Sequence, residues 1–159
     1  MTQTAYDYSI NLLSKKDYSV FKLKRKLKQK DYDDLEISET VSKLIALKYL
    51  RESEYRRNLI ISLLGRSYES IYIIRKLAQE ELTTDDTEIN KYKIEIGYDT
   101  KSEANKLLDF KMKNIKMPQT SEEKFKIKSK LASFLSSKGF SYDDINETIN
   151  KKLNYEDTY

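Results

Sequence analysis

Lys22, Arg25, Lys26 and Lys28 crowd four cationic side chains into one short stretch, and Lys124, Lys126, Lys128 and Lys130 repeat the device at alternate positions late in the chain. Their chemistry is anion recognition. Ionised amines and guanidiniums make charge-assisted hydrogen bonds to phosphate and carboxylate oxygens, and neutralising a polyanion releases its counterions, so such binding weakens with salt. The surroundings concentrate the effect. Lys15–Lys30 holds eight Lys or Arg and one Asp, and Lys111–Lys130 holds seven Lys and two Glu, in a chain whose net charge is only +4. This asymmetry points to a basic face directed at a polyanion. The bland reading is a set of solvated helix faces. It applies to part of the second set, because alternate spacing spreads four lysines around more than one side of a helix.

Other chemistries are poorly provided for. The sequence has no His and no Cys, which removes the usual general base, the thiolate nucleophile and the commonest metal ligands. No Ser-His-Asp or Cys-His arrangement is possible within this chain. The carboxylate pairs Asp33/Asp34, Asp85/Asp86 and Asp143/Asp144 could attract Mg²⁺, but all three stand where a helix begins, and capping explains them better. Tyrosines are numerous (13) and could stack on bases; at helical spacing, Tyr8, Tyr55 and Tyr92 read as core or interface. No catalytic set, metal site or cofactor is expected. No apolar run is long enough to span a membrane, and residues 1–20 lack a basic start followed by an apolar block. The expectation is a soluble, cytoplasmic protein.

The elements that must carry these residues are helices. Hydrophobic content is 38% and charged content 35%, against roughly 45–50% and about 25% in an ordinary domain, so a thin core shared between small units is expected. Three Gly and one Pro are too few for a turn-rich β protein. Apolar residues recur at helical spacing over about 5–16 and 20–30, then, after the break at Asp31–Asp34, through Ile37, Val41, Leu44 and Leu47 to an end near Tyr49-Leu50, and over about 53–64, 68–81, 85–96, 101–115, 121–138 and 142–153. Ser19, Asp31–Asp34, Thr83–Asp86 and Ser121 are start signals. At Ser19 and Ser121 the third helical residue is Lys22 or Lys124, so neither closes a reciprocal capping box. Tyr18 and Leu23 can staple the second helix. Gly65 and Gly97 are expected stops, Pro118 makes 116–121 a linker, and 154–159 is a flexible tail.

One joint recurs three times. Leu23/Leu27, Ile73/Leu77 and Leu131/Leu135 are each followed by a break and a new start: Lys30-Asp31-Tyr32-Asp33, Glu80-Glu81-Leu82-Thr83 and Lys138-Gly139-Phe140-Ser141. Ile37, Ile89 and Ile145 then open the next helix. The expected fold is all-α, with three tandem three-helix repeats, 1–50, 51–100 and 101–153, forming an elongated, curved array. A unit of about 50 residues is marginal alone, and stacking remedies that.

These residues resemble a known family. Leu12-Leu13-Ser14-Lys15-Lys16-Asp17-Tyr18-Ser19 with Leu23-Lys24-Arg25-Lys26-Leu27-Lys28-Gln29-Lys30-Asp31-Tyr32 resembles the opening of the bacterial RecX proteins. Tyr49-Leu50 with Tyr55 is similar to that family's junction between repeats one and two. Lys130-Leu131, Phe134-Leu135 and Lys138-Gly139-Phe140-Ser141 resemble its last repeat. The match runs over about 5–153. The chain departs where the family usually has Gly, at Asp31, Lys48 and Glu81, and Lys22 stands where Glu is common. Because Lys48 and Glu81 suit a left-handed backbone less well than Gly, those two turns are expected to differ in geometry.

The resemblance implies a monomeric modulator of the RecA recombinase. It would bind RecA filaments on single-stranded DNA, lie along the filament groove and restrain strand exchange and co-protease activity, needing no cofactor and catalysing nothing. The residues leave two alternatives open: a direct DNA-binding protein built from tandem helix-turn-helix-like units, and a structural helical adaptor.

Overall fold

The computed structural model describes residues 3–115 and 118–154. Lys116 and Met117 of the expected linker and residues 155–159 of the expected tail lie outside the described residues.

The described residues form nine helices and no strand: α1 (Ala5–Leu13), α2 (Val20–Lys28), α3 (Asp34–Ala46), α4 (Glu52–Leu64), α5 (Ser70–Ala78), α6 (Asp86–Glu95), α7 (Thr100–Met112), α8 (Ser121–Lys138) and α9 (Tyr142–Asn154). Side-chain caps set most of the starts. Thr4, Ser19, Asp33, Asp85 and Asp99 each accept a backbone N–H from three residues on, and Ser141 accepts that of Asp144 at 3.1 Å. These caps satisfy donors that the helix leaves without partners. Asp33 and Asp85 of the carboxylate pairs are therefore N-caps. For α8 the expectation was one residue late: Thr120 is the cap, and Glu123 returns its carboxylate to the Thr120 backbone N–H, closing a reciprocal capping box.

Six helix ends follow one rule. The backbone turns left-handed at Asp31 (φ 61°), Lys48 (φ 59°), Ser67 (φ 56°), Glu81 (φ 58°), Gly97 (φ 65°) and Gly139 (φ 90°). At each, the N–H of the next residue donates to a carbonyl five residues back: Tyr32 to Leu27, Tyr49 to Leu44, Tyr68 to Leu63, Leu82 to Leu77, Tyr98 to Lys93 and Phe140 to Leu135. This is the Schellman closure, in which an apolar side chain just past the turn covers the last helical turn. The turns at Lys48 and Glu81 thus share the geometry of the glycine turns, contrary to expectation, because the carbonyl bonds and the burial of Leu50 and Leu82 just past them stabilise a conformation that those residues adopt at a cost. Gly65 is not the left-handed stop; Ser67 is. The same closure stops α2 and α5 short of the periodicity, since the residues after Lys28 and Ala78 are spent in the turn; α1 and α7 also stop early, in right-handed turns at Ser14 and Lys113.

The chain divides into two compact units: residues 1–59 with 77–82, and residues 60–76 with 83–159. In the first, α1, α2 and α3 pack on one another around Ala5, Tyr18, Leu23, Leu27, Ile37, Val41, Leu44 and Leu50. Tyr18 and Leu23 are both in this core, as a staple requires. In the second, α7, α8 and α9 pack around Ala104, Leu108, Leu131, Leu135, Phe140, Ile145, Ile149 and Leu153. Not every periodic apolar residue turns inward: Leu47, Ile71, Phe110 and Phe125 are exposed.

Candidate functional site

In the first unit, α2 opens on Ser19 and directs its first basic residue inward. Lys22 Nζ lies 2.5 Å from Glu80 Oε1 and donates to the Tyr55 hydroxyl at 3.0 Å. Tyr55 in turn donates to Glu80 Oε2 at 2.9 Å, as does the buried Ser19 hydroxyl at 3.1 Å. Glu80 is 4% exposed. Burial alone would raise its pKa, but the hydrogen bonds from Lys22 and Tyr55 outweigh it and hold the carboxyl below the usual range. Burial likewise pulls the Lys22 amine down, and the bonds to Glu80 and Tyr55 more than restore it, so it stays protonated above its ordinary range. Lys22 is committed to this network.

The remaining basic residues of α2 point outward. Arg25 and Lys26 are exposed, and Arg25 lies over the Phe21 ring at 5.8 Å. Lys28 is exposed and paired with Asp34 at 3.0 Å. Such a pair in solvent is weak and exchangeable, so α2 presents a cationic strip with Arg25 and Lys26 at its centre.

In the second unit, α8 sorts its four lysines by turn. Lys124 and Lys128, one turn apart, are half-buried; Lys124 has partners within the fold, and Lys128 donates to Asn150 Oδ1 at 2.8 Å. Lys126 and Lys130, on the opposite side, are exposed. Lys126 pairs with Glu122 at 2.6 Å, and among the described residues no acid pairs with Lys130. Alternate spacing thus divides the set between two sides, as helical geometry demands.

A second network was not singled out by charge or motif. Lys93 Nζ lies 2.5 Å from Glu69 Oε2 and donates to Thr100 Oγ1 at 3.1 Å. Burial, with Glu69 alongside, pushes the Tyr98 phenol well up, so it stays neutral. The Glu69 backbone N–H donates to the Lys138 carbonyl at 2.8 Å, bringing the start of α5 against the end of α8. Gly139 lies flat on this contact: a Cβ there would overlap the Tyr72 backbone nitrogen and come within 2.6 Å of the Tyr72 Cβ and 2.9 Å of the Glu69 carbonyl. Among the described residues no group of three or more His, Cys, Asp or Glu is placed to hold a metal ion, and no helix is long and apolar enough to cross a membrane.

Comparison with known proteins agrees with this architecture. Residues 5–44 match the first three-helix domain of RecX, and residues 116–149 match the third. The chain is 29% identical over 149 residues to the regulatory protein RecX of Haemophilus influenzae strain PittEE, covering 94% of this chain and 95% of that one. It is 26% identical over 149 residues to the regulatory protein RecX of Mannheimia succiniciproducens, covering 94% of both. The crystal structure of RecX from Lactobacillus salivarius superposes with a TM-score of 0.70 at 22% identity over 95% of each chain. Another crystal structure of regulatory protein RecX gives 0.72 at 17% identity, covering 92% of this chain and 70% of that one. The chain thus carries the first and third three-helix domains of RecX near its two ends, is similar to RecX proteins along nearly its whole length, and shares their helical repeat fold.

Proposed function

We propose that this protein is a regulator of the RecA recombinase that binds RecA filaments on single-stranded DNA and restrains strand exchange and co-protease activity. It acts in the cytoplasm, as a monomer and without a cofactor or a catalytic step of its own. The observation that carries the reading is the near full-length match to proteins named regulatory protein RecX. The exposed cations support it. Arg25, Lys26 and Lys28 of α2, and Lys126 and Lys130 of α8, are free to exchange an intramolecular neighbour or water for phosphate or for acidic side chains of the filament. Lys22 serves by holding α2 in place, and Lys124 and Lys128 by their contacts within the fold. The three-helix repeats 1–50, 51–100 and 101–153 supply the scaffold, and binding across adjacent protomers fixes their relative orientation.

Strand exchange by the cognate RecA, with this protein titrated in, tests the reading. Inhibition at or below one protein per filament protomer is expected. Charge reversal at Arg25, Lys26 and Lys28 is expected to weaken it at least tenfold without unfolding the chain. No filament binding and no inhibition at stoichiometric levels would sink the proposal.

A further inference from the structure

Two joints of the same build differ in how their charge is balanced. An offset of fifty residues aligns Leu23 and Leu27 with Ile73 and Leu77, and one of fifty-eight aligns Leu77 with Leu135. Ser19 then corresponds to Glu69, Lys22 to Tyr72 and Glu80 to Lys138. In the first joint, Glu80 neutralises Lys22. In the second, a lysine stands in the acid's place. Arg66 and Arg75 are exposed, and Lys138 is half-buried. Among the described residues no carboxylate pairs with any of these three cations. The nearby acid, Glu69, is buried and already bound to Lys93.

The three charges are held by a pair of rings. Tyr68 and Tyr72, one turn apart, stack with centroids 4.1 Å apart and planes at 20°. Lys138 Nζ lies over the Tyr68 ring at 4.0 Å from its centroid, and Arg66 over the same ring at 5.4 Å. Arg75 lies over the Tyr72 ring at 5.7 Å. Cations settle on ring faces, so the tyrosines here order charges and leave no open face for a flat ligand. Hydrogen-bonding capacity is left over. Lys138 makes one long contact, 3.5 Å to the Arg66 carbonyl, out of three donors, and each guanidinium carries five.

A ligand that answers this arrangement accepts hydrogen bonds, carries dense negative charge and needs no ring. Density matters because Lys138 and Arg66 converge on a single centroid, so two charges must be met at nearly one place. Phosphoryl groups joined through one bridging oxygen supply that. Anions spaced by a sugar or by peptide backbone spread their charge instead. We propose that Arg66, Arg75 and Lys138, ordered by Tyr68 and Tyr72, form a binding site for a condensed inorganic phosphate chain, whose oxygens take the guanidinium forks and the ammonium. The site is separate from the exposed lysines that carry the filament reading, and its test uses no recombinase. Its failure and failure of that reading are therefore distinguishable.

The test is isothermal titration calorimetry of sodium tripolyphosphate into the full chain, without RecA and without Mg²⁺. One tripolyphosphate per chain is expected, bound at least about tenfold more tightly than orthophosphate, because several charge-assisted bonds are made at once. ATP is expected to bind no more tightly than tripolyphosphate, since the rings have no face to give its base. The triple variant Arg66→Gln/Arg75→Gln/Lys138→Gln is expected to lose at least about tenfold in tripolyphosphate affinity and less than about threefold in affinity for an oligothymidylate. Should circular dichroism show it unfolded, the exposed pair Arg66→Gln/Arg75→Gln is read alone. An equal charge change at the exposed Lys15, Lys48 and Lys91 is expected to leave tripolyphosphate affinity within about threefold, as loosely placed surface charges contribute little. Tyr72→Leu should weaken tripolyphosphate binding, and Tyr72→Phe, which keeps the ring, should not. No tripolyphosphate binding, equal affinity for orthophosphate, or an unaffected charge variant overturns the proposal. So does ATP binding at least tenfold tighter than tripolyphosphate, which would mark a nucleotide site. An equal loss of oligothymidylate affinity in the triple variant would mark a nucleic-acid site and overturns it as well.

Discussion

Glu80 accepts a hydrogen bond from the Lys22 ε-ammonium at 2.5 Å while itself only 4% exposed, so a carboxylate from the turn after α5 anchors the most basic helix of the chain. Removing one partner of such a network leaves the other charge poorly solvated, whereas removing both can be nearly neutral. Glu80→Ala is expected to lower unfolding free energy by about 2–3 kcal/mol, read from urea denaturation. Lys22→Met/Glu80→Leu should recover at least half of that loss. A double variant as unstable as the summed singles would show that the pair is not coupled.

The acid side of the stability profile follows from the same group and two others. Glu80 is held down as described; Glu103 by the hydrogen bond from Lys106, with burial opposing; and Glu147 by Lys151 and Lys101, to about 2. A carboxyl depressed in the folded state contributes stability above its unfolded pKa, and that contribution disappears as pH falls through the folded value. Stability should therefore decline below about pH 4.5, and Glu80→Gln should flatten part of that decline. Lys22 and Lys101 have the opposite sign: both are raised, Lys101 chiefly by its bond to Glu147. Their contribution is present below the unfolded lysine pKa and is lost as pH rises through the folded value, which places the alkaline decline above about pH 10.4. Denaturation midpoints measured from pH 2 to 11 check both arms.

Two glycines share a left-handed backbone but differ in surroundings. A Cβ at Gly97 meets nothing within 4 Å, while one at Gly139 strikes the backbone of Tyr72 and Glu69. Gly97→Ala is expected to cost about 1–2 kcal/mol, the conformational term alone. Gly139→Ala is expected to cost at least about 2 kcal/mol more, because the overlap adds to that term. Equal melting shifts for the two variants would contradict the packing of α5 on the turn after α8.

Lys48 and Glu81 hold the same left-handed conformation without being glycine. Lys48→Gly and Glu81→Gly are each expected to stabilise the chain, by up to about 1 kcal/mol, since relief of the side-chain clash exceeds the added freedom of the unfolded chain. Asp31→Gly should gain less, because Asp tolerates this region. Thermal unfolding of the three single variants gives the order directly.

The helices and the threefold joint were legible because apolar periodicity and capping residues are local signals, although the cap of α8 lies one residue before the expected Ser121. Helix ends were harder, because attention to glycine hides the pattern that operates here: a leucine, then a left-handed residue four positions on, then an apolar ring or leucine. Leu27-Asp31-Tyr32, Leu44-Lys48-Tyr49, Leu63-Ser67-Tyr68, Leu77-Glu81-Leu82 and Leu135-Gly139-Phe140 all obey it. The exposed cations were visible as composition. The commitment of Lys22 was not, because its acid lies far away in sequence and only tertiary structure brings Glu80 to it. The tyrosine stack was readable as Tyr68 and Tyr72 one turn apart, but the lysine that completes it belongs to α8.

The interleaving of the two units has a consequence for anyone who would cut the gene. The first unit is not a contiguous segment: it takes residues 77–82 after the chain has supplied 60–76 to the second. A fragment ending at residue 59 keeps Ser19, Lys22 and Tyr55 but loses the carboxylate that all three hold, and one beginning at residue 83 loses Glu69 and Gly139's seat on Tyr72. No single scission yields two autonomous pieces. Ribosomal synthesis must therefore pass residue 80 before the network of Ser19, Lys22 and Tyr55 can close on Glu80, and limited proteolysis should give either intact protein or short peptides, with no long-lived half-molecule.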